Sequence, residues 1–197
     1  MAVSYRLSAL GENNLRAVSA AMTGNYVLWS LAALVALIAG VTDWRSRRIP
    51  NWLTVPAAAL GLILSTVYFG WPGAKSSLEG LALAMLLLFP FVVLHSFGFG
   101  DWKLVGASGA VLGVERLWPV FFVAALVNAG IALGMVIWQG RLGRTLGNIG
   151  RIFWDLARLR RPDRSISLEN PETAKVPFGV AWALALVGCA GAKLWGW

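Results

Sequence analysis

Cysteine and histidine are nearly absent from this chain of 197 residues, which has one of each, Cys189 and His95. A single cysteine excludes a disulfide within the chain, and a structural zinc site takes about four cysteine or histidine ligands. A serine–histidine–aspartate triad would have to use His95. We therefore expect neither a metal nor a cofactor, and any catalytic site must depend on other side chains.

Charge is also scarce. Charged residues make up 13% of the chain and hydrophobic residues 58%, whereas an average globular domain is about 25% charged. A soluble domain with so few charges could not cover its own surface, and the 11 tryptophans suit the headgroup level of a bilayer. The composition predicts an all-α, polytopic integral membrane protein. The net charge of +8 then reports membrane topology, and no nucleic-acid partner is expected.

Six apolar segments define the predicted architecture. A membrane span needs about 20 apolar residues, and five segments approach that length: Asn25–Thr42, Trp52–Phe69, Gly80–Phe97, Leu117–Trp138 and Val176–Trp197. The sixth, Trp102–Val114, is shorter and rich in glycine and alanine, so it is either a full helix or a segment partly embedded among its neighbours. We favour a sixth helix. The expected domains are a polar extracytoplasmic segment, 1–24, and a six-helix membrane domain, 25–197.

Lysine and arginine predict the orientation. With six spans, 12 of the 17 lie on one side, in residues 43–51, 98–103 and 139–175. Cytoplasmic loops are enriched in these residues, so that side is assigned to the cytoplasm and both termini to the other side. Within the basic loop 139–175, apolar residues at helical spacing predict an amphipathic segment over 148–160. It lies on the inner leaflet or packs on the bundle, and anionic lipid is the expected partner of the basic loops.

Two aspartates stand at the predicted cytoplasmic ends of helices, Asp43 closing the first span and Asp101 opening the fourth segment. Two carboxyl groups that share a site do not both ionise easily, so the pair holds one proton. The ionised member can then take a proton from water while the protonated member polarises a peptide carbonyl. One structural alternative pairs Asp43 with the nearby arginines, Arg45, Arg47 and Arg48. Another makes Asp101 the N-terminal cap of its helix.

Three short motifs accompany these aspartates. Asp43 is followed by Ile49-Pro50-Asn51, Asp101 lies in Gly98-Phe99-Gly100-Asp101-Trp102-Lys103-Leu104, and the last span opens with Pro177-Phe178-Gly179. Glycine at 98 and 100 permits close backbone approach before Asp101, as a substrate strand would require. In this order and hydropathy setting, from about residue 25 to 195, the motifs resemble the type IV prepilin peptidase family of GxGD membrane aspartic proteases.

The resemblance implies that Asp43 and Asp101 are the catalytic pair. It implies prepilin substrates, which carry a short basic leader before an apolar helix, cut at that junction on the cytoplasmic face of the bacterial inner membrane. Lys103 would tune Asp101 or contact the substrate, while Pro50 and Asn51 would shape the turn into the second helix. The residues expected to bind substrate or shape the site are Gly98, Gly100, Lys103, Pro50, Asn51, Pro177, Phe178 and Gly179.

The chain also departs from the fuller family pattern. Bifunctional members have paired CxxC motifs and N-methylate the cleaved pilin, whereas Cys189 is alone here. The chain therefore looks like the short, protease-only branch of Flp (tight-adherence) pilus systems, without methyltransferase activity, and Phe178 replaces the commoner tyrosine. The alternatives are an archaeal preflagellin peptidase, a non-catalytic scaffold of a pilus or secretion apparatus, or a small transporter. A transporter would more naturally place its charges in mid-bilayer.

Overall fold

The computed structural model describes residues 2–93, 98–140 and 178–194. Within these ranges the secondary structure is helical, which confirms the all-α prediction: α1 (Ala2–Ser46), α2 (Asn51–Val93), α3 (Phe99–Trp138) and α4 (Phe178–Leu194). Three of these helices, α1 counted from Asn14, are long and apolar enough to cross a membrane. The count of six crossings and the cytoplasmic orientation remain predictions.

α2 is interrupted at Gly70, whose φ of 63° and ψ of −148° lie outside the helical region. Glycine adopts this conformation without the steric penalty that a Cβ would impose. The interruption divides α2 into a first arm, 51–69, and a second arm, 71–93. It falls between the predicted spans Trp52–Phe69 and Gly80–Phe97, so α2 contains the first span and residues 80–93 of the second as separate pieces of helix.

α3 is also interrupted at a glycine, Gly113 (φ 75°, ψ 171°). Its first arm, 99–112, coincides with most of the short predicted segment Trp102–Val114, and its second arm is 114–138. The first arm is helical and its residues 104–112 are all buried. The glycine- and alanine-rich segment is thus a central helix of the bundle, which explains why it carries small residues and no charges between Lys103 and its end.

The first arm of α2 runs parallel to the first arm of α3. At one end, Lys103 Nζ donates a hydrogen bond to Asn51 Oδ1 over 3.0 Å. At the other end Gly61 faces Val111, and a Cβ on Gly61 would come within 2.7 Å of the Val111 Cα. From the first contact to the second, the residue number rises from 51 to 61 in α2 and from 103 to 111 in α3, so the two helices are parallel.

The second arm of α2 runs antiparallel to the same helix. Trp102 donates its indole N–H to the Met85 carbonyl over 2.8 Å, whereas Ser76, earlier in α2, lies against Gly113, later in α3. The chain direction therefore reverses at Gly70. The first arm of α3 lies along both arms of this α2 hairpin.

Gly61 offers a test of this close packing. An alanine there would place its Cβ 2.7–2.8 Å from the Cα and N atoms of Val111, which are backbone atoms and cannot swing aside. We expect Gly61→Ala to lower the free energy of unfolding by about 1–3 kcal/mol through overpacking, measured by thermal unfolding in detergent. Gly130→Ala is the matched control, because no atom lies within 4 Å of its Cβ position, and a loss of stability there as large as at Gly61 would contradict the explanation.

α4 completes the core against α1 and α3. Trp182 is fully buried, its indole N–H donates to the Ser108 Oγ over 2.9 Å, and its ring meets Phe121 edge-on at 6.1 Å. On the α1 side, a Cβ on Gly40 would lie 3.0 Å from the Ala183 Cβ. These contacts fix the start of α4 beside the end of α1. The predicted basic loop from residue 141 onwards, its amphipathic segment 148–160 and Pro177 lie outside the described residues.

Candidate active site

Asp43 lies in the last turns of α1 with its side chain turned into the bundle, and only 8% of the residue is exposed. Its Oδ2 accepts a hydrogen bond from the backbone N–H of Gly179 over 2.9 Å. α1 ends just beyond, because Arg47 takes a left-handed conformation (φ 49°) and donates its N–H to the Asp43 carbonyl over 2.8 Å. A buried carboxylate held by a backbone donor has a fixed orientation.

The structural alternative of a surface ion pair for Asp43 is therefore wrong. Asp43 is buried, whereas the nearby arginines Arg45, Arg47 and Arg48 are all exposed. In the part of the chain that the structure describes, the ion pair found joins Lys75 to Glu79 on α2. The partner of the Asp43 carboxylate is the start of α4.

Two glycines make this contact possible. A Cβ on Gly179 would lie 2.8 Å from the Asp43 Cβ and 2.9 Å from its Oδ2, closer than side chains pack. A Cβ on Gly40 would lie 3.4 Å from the Gly179 carbonyl oxygen as well as against α4. Sequence reasoning included Gly179 but missed Gly40. The available signal was its spacing, since a residue three before Asp43 lies on the same helix face.

Asp101 lies in the first turn of α3, three residues after the N-cap Gly98. Its carboxylate folds back towards Gly98, whose backbone N–H acts on it as a hydrogen-bond donor. This is one half of a capping box. The alternative that makes Asp101 itself the N-cap is wrong, because the N-cap is Gly98 and Asp101 lies three residues further on. Gly100, next to Asp101, packs on Ile49, six residues after Asp43, so the end of α1 and the start of α3 lie at the same end of the bundle.

Gly98 and Gly100, the two glycines before Asp101, both pack closely against other residues of this protein. A Cβ on Gly98 would lie 3.1 Å from the Asp101 Oδ2, and one on Gly100 would lie 3.3 Å from the Ile49 Cβ and 3.4 Å from its backbone N. Ile49 is 8% exposed, so it anchors the α1–α2 connection onto α3. Sequence reasoning expected a substrate strand at these glycines, whereas the approach observed is to Ile49 and Asp101.

Pro50, Asn51 and Lys103 join the α1–α2 connection to the same helix. The Pro50 carbonyl accepts the N–H groups of Leu53 (3.1 Å) and Thr54 (3.4 Å) and so begins α2, which fits the expected turn. The Lys103 ammonium, two residues after Asp101, donates to Asn51 Oδ1. Lys103 is therefore tethered to the neighbouring helix at the edge of the aspartate site.

Phe178 opens α4, and its ring stacks on Trp182 with centroids 5.8 Å apart and an interplanar angle of 26°. This stacking orients the first turn of α4, which carries the Gly179 N–H. The structure brings Gly179 to Asp43, with Phe178 next to it in the first turn of α4, while Pro177 is not among the described residues. Within the described ranges, no group of three or more histidine, cysteine, aspartate or glutamate side chains could hold a metal ion.

Comparison with known proteins identifies the family of this chain. The model of the type IV leader peptidase family matches residues 29–133, more than half of the chain. The chain belongs to the type IV leader peptidase family. The family match contains Asp43, the α1–α2 connection and Asp101, and it ends before α4. The start of α4 lies outside the matched residues, and its contact with Asp43 is known from the structure.

Individual relatives agree with the family. A prepilin leader peptidase/N-methyltransferase from Xanthomonas campestris pv. campestris is 32% identical over 121 residues, which are 58% of this chain and 40% of that protein. The protein of the same name from Escherichia coli K12 is 27% identical over 136 residues, 60% of each chain. The chain thus spans about half the length of these curated relatives. No solved structure gives a significant match.

A protein of another class also shows similarity. The H(+)/Cl(-) exchange transporter ClcA of Klebsiella pneumoniae is 29% identical over 138 residues, 68% of this chain but only 29% of that protein. Asp43 and Asp101 both lie at helix ends rather than in the middle of a helix. The site therefore offers no support for the transporter alternative.

Proposed function

We propose that this chain is a membrane aspartic endopeptidase that removes the basic leader from prepilin-like proteins, with Asp43 and Asp101 as its catalytic pair. The observation that carries the proposal is the placement of these two carboxyl groups. Asp43 is buried against Gly179 of α4, and Asp101 lies in the first turn of α3, next to Gly100, which packs on Ile49 of the α1–α2 connection. Family membership supports peptidase activity. The names of the relatives support a prepilin substrate.

The chemistry needs one proton shared by two carboxyl groups. The ionised carboxylate takes a proton from a water molecule as its oxygen attacks the scissile carbonyl carbon, and the protonated carboxyl donates its proton to the carbonyl oxygen. The carboxyl that gained the water proton then passes it to the amide nitrogen and the C–N bond breaks. The other carboxylate takes back a hydroxyl proton from the collapsing tetrahedral intermediate, so the pair again holds one proton. The products are a new carboxylic acid and a new amine, and no covalent enzyme intermediate forms.

The position of the pair suits a substrate cut at the membrane edge. Asp43 lies in the last turns of α1 and Asp101 in the first turn of α3, so a peptide bond just outside an apolar helix could reach both. The lysine and arginine distribution supports the cytoplasmic side. The lone Cys189 supports the Flp-type, protease-only branch, because bifunctional members are expected to carry paired CxxC motifs.

The testing experiment is co-expression with an Flp-type prepilin in a bacterial host that lacks its own prepilin peptidase, followed by mass spectrometry of the pilin. We expect a pilin shortened at the leader junction. Absence of cleavage for Flp-type and other prepilins alike, with the enzyme present in the membrane by immunoblot, would contradict the peptidase proposal and favour a scaffold.

The same spectra test for methylation. We expect the new N-terminal amine to carry no methyl group, because the chain has a single cysteine and no paired CxxC motif. A prepilin processed in parallel by a bifunctional peptidase provides the methylated reference. A product methylated by this chain would show that the protease-only assignment is wrong while leaving the cleavage proposal intact.

A further inference from the structure

The end of the bundle away from the aspartates contains a half-buried cation, Arg116, in the second arm of α3. Its guanidinium donates to the Leu112 carbonyl over 3.0 Å and to the Asn25 side-chain oxygen. It also lies 5.4 Å from the centre of the Phe69 ring. All three partners are uncharged, and no carboxylate lies within ion-pair distance of Arg116 in the described part of the chain. A cation taken partly out of water without a counter-ion favours binding of an anion.

Arg116 lines a cavity of about 180 Å³ at the two helix interruptions. The cavity exists where Gly70 and Gly113 turn the chain, and Gly113 forms part of its wall. It has polar walls as well as apolar ones, since Ser65 and Ser76 face it from α2. The volume is several times the share of ~30 Å³ that one water molecule occupies, so a phosphate group fits.

Glu115 also lines this cavity, and it is exposed where Arg116 is half-buried. Among the described residues, the Glu115 carboxylate forms no ion pair with Arg116. The cavity therefore presents a cation on its inner side and a carboxylate at its opening. A ligand with a phosphate and a neighbouring ammonium group complements both charges.

Exposed tryptophans indicate where the cavity lies across the thickness of the membrane. Trp71, next to Gly70, is 77% exposed, and Trp118, two residues after Arg116, is 51% exposed. Tryptophan collects at the headgroup level of a bilayer. The cavity therefore opens at the headgroups of the leaflet opposite the aspartate site.

We propose that this cavity binds the phosphoethanolamine headgroup of an aminophospholipid, with Arg116 on the phosphate and Glu115 on the ammonium. The ligand would join α1, α2 and α3 at the end of the bundle where the chain reverses. This site is separate from Asp43 and Asp101, and the proposal does not depend on the peptidase function.

The test measures the thermal unfolding midpoint of the purified protein in detergent during titration with phosphatidylethanolamine, phosphatidylglycerol or inorganic phosphate. A ligand that binds only the folded protein raises this midpoint. We expect the largest rise with phosphatidylethanolamine, a smaller one with phosphatidylglycerol and none with inorganic phosphate. Equal rises with both lipids would overturn the aminophospholipid assignment, and a rise with inorganic phosphate alone would indicate an adventitious ion only.

Three variants locate the effect. Arg116→Gln is expected to weaken the apparent affinity for both lipids by about tenfold or more, because a charge-assisted hydrogen bond is lost. Glu115→Gln, at an exposed position, should fold normally and lose the preference for phosphatidylethanolamine. Lys75→Gln is the control, because Lys75 is an exposed cation outside the cavity and its removal should leave both titrations unchanged. Titrations unaltered by Glu115→Gln, or weakened equally by Lys75→Gln, would overturn the proposal even if Arg116→Gln failed to fold.

Discussion

Replacing either Asp43 or Asp101 by asparagine is expected to stop leader cleavage while the protein still inserts in the membrane. Asparagine has nearly the same shape, and its side-chain oxygen can still accept the Gly179 N–H that holds Asp43. What it lacks is a proton that can be exchanged at the reacting atoms. General acid–base catalysis contributes about 10²–10⁴-fold, so each variant should lose at least that much of the cleavage rate.

The measurement is the fraction of co-expressed prepilin cleaved over time, with membrane levels of each variant equalised by immunoblot. Glu79→Gln is the control, because Glu79 is an exposed carboxylate of α2 whose partner is Lys75. It should cleave at the wild-type rate. Near-normal cleavage by either aspartate variant would rule out the two-aspartate mechanism, and a loss in the Glu79 variant would point to a general effect of charge.

Hydropathy predicted most of the helical architecture but not the way the helices pack. The gap between Trp52–Phe69 and Gly80–Phe97 corresponds to the interruption at Gly70, and the small residues of Trp102–Val114 correspond to the central helix. The packing of both arms of α2 against the first arm of α3 was not predicted. Lipid-facing and protein-facing sides of a membrane helix are similarly apolar, so the pattern does not identify the packing face.

The candidate site shows the same division. The short motifs and the span count predicted that Asp43 and Asp101 lie at one end of the bundle. In the structure, Ile49, six residues after Asp43, packs against Gly100, next to Asp101. The contacts that hold the pair were not predicted, because they join distant positions through backbone atoms. The Gly179 N–H meets Asp43 across 136 positions of sequence, and no side-chain pattern indicates a backbone donor.

Gly179 carries the second large prediction. An alanine Cβ there would lie 2.8 Å from the Asp43 Cβ, 3.1 Å from its Cγ and 2.9 Å from its Oδ2. Either the Asp43 carboxylate rotates away or the first turn of α4 moves, and both changes break the hydrogen bond that fixes its direction. A displacement of about 1 Å at reacting groups costs about 10²-fold in rate. We expect Gly179→Ala to cleave prepilin about a hundredfold more slowly.

Gly188→Ala is the matched control for this prediction, because the same substitution in the same helix meets no atom within 4 Å. It should cleave normally and, with a better helix former in place of glycine, unfold at the same or a slightly higher temperature. Cleavage at the wild-type rate by Gly179→Ala would show that the direction of Asp43 does not matter for the reaction. Slow cleavage by Gly179→Ala alone, with an unfolding midpoint close to that of the wild type, would instead show that the start of α4 acts on the chemistry by positioning one carboxylate.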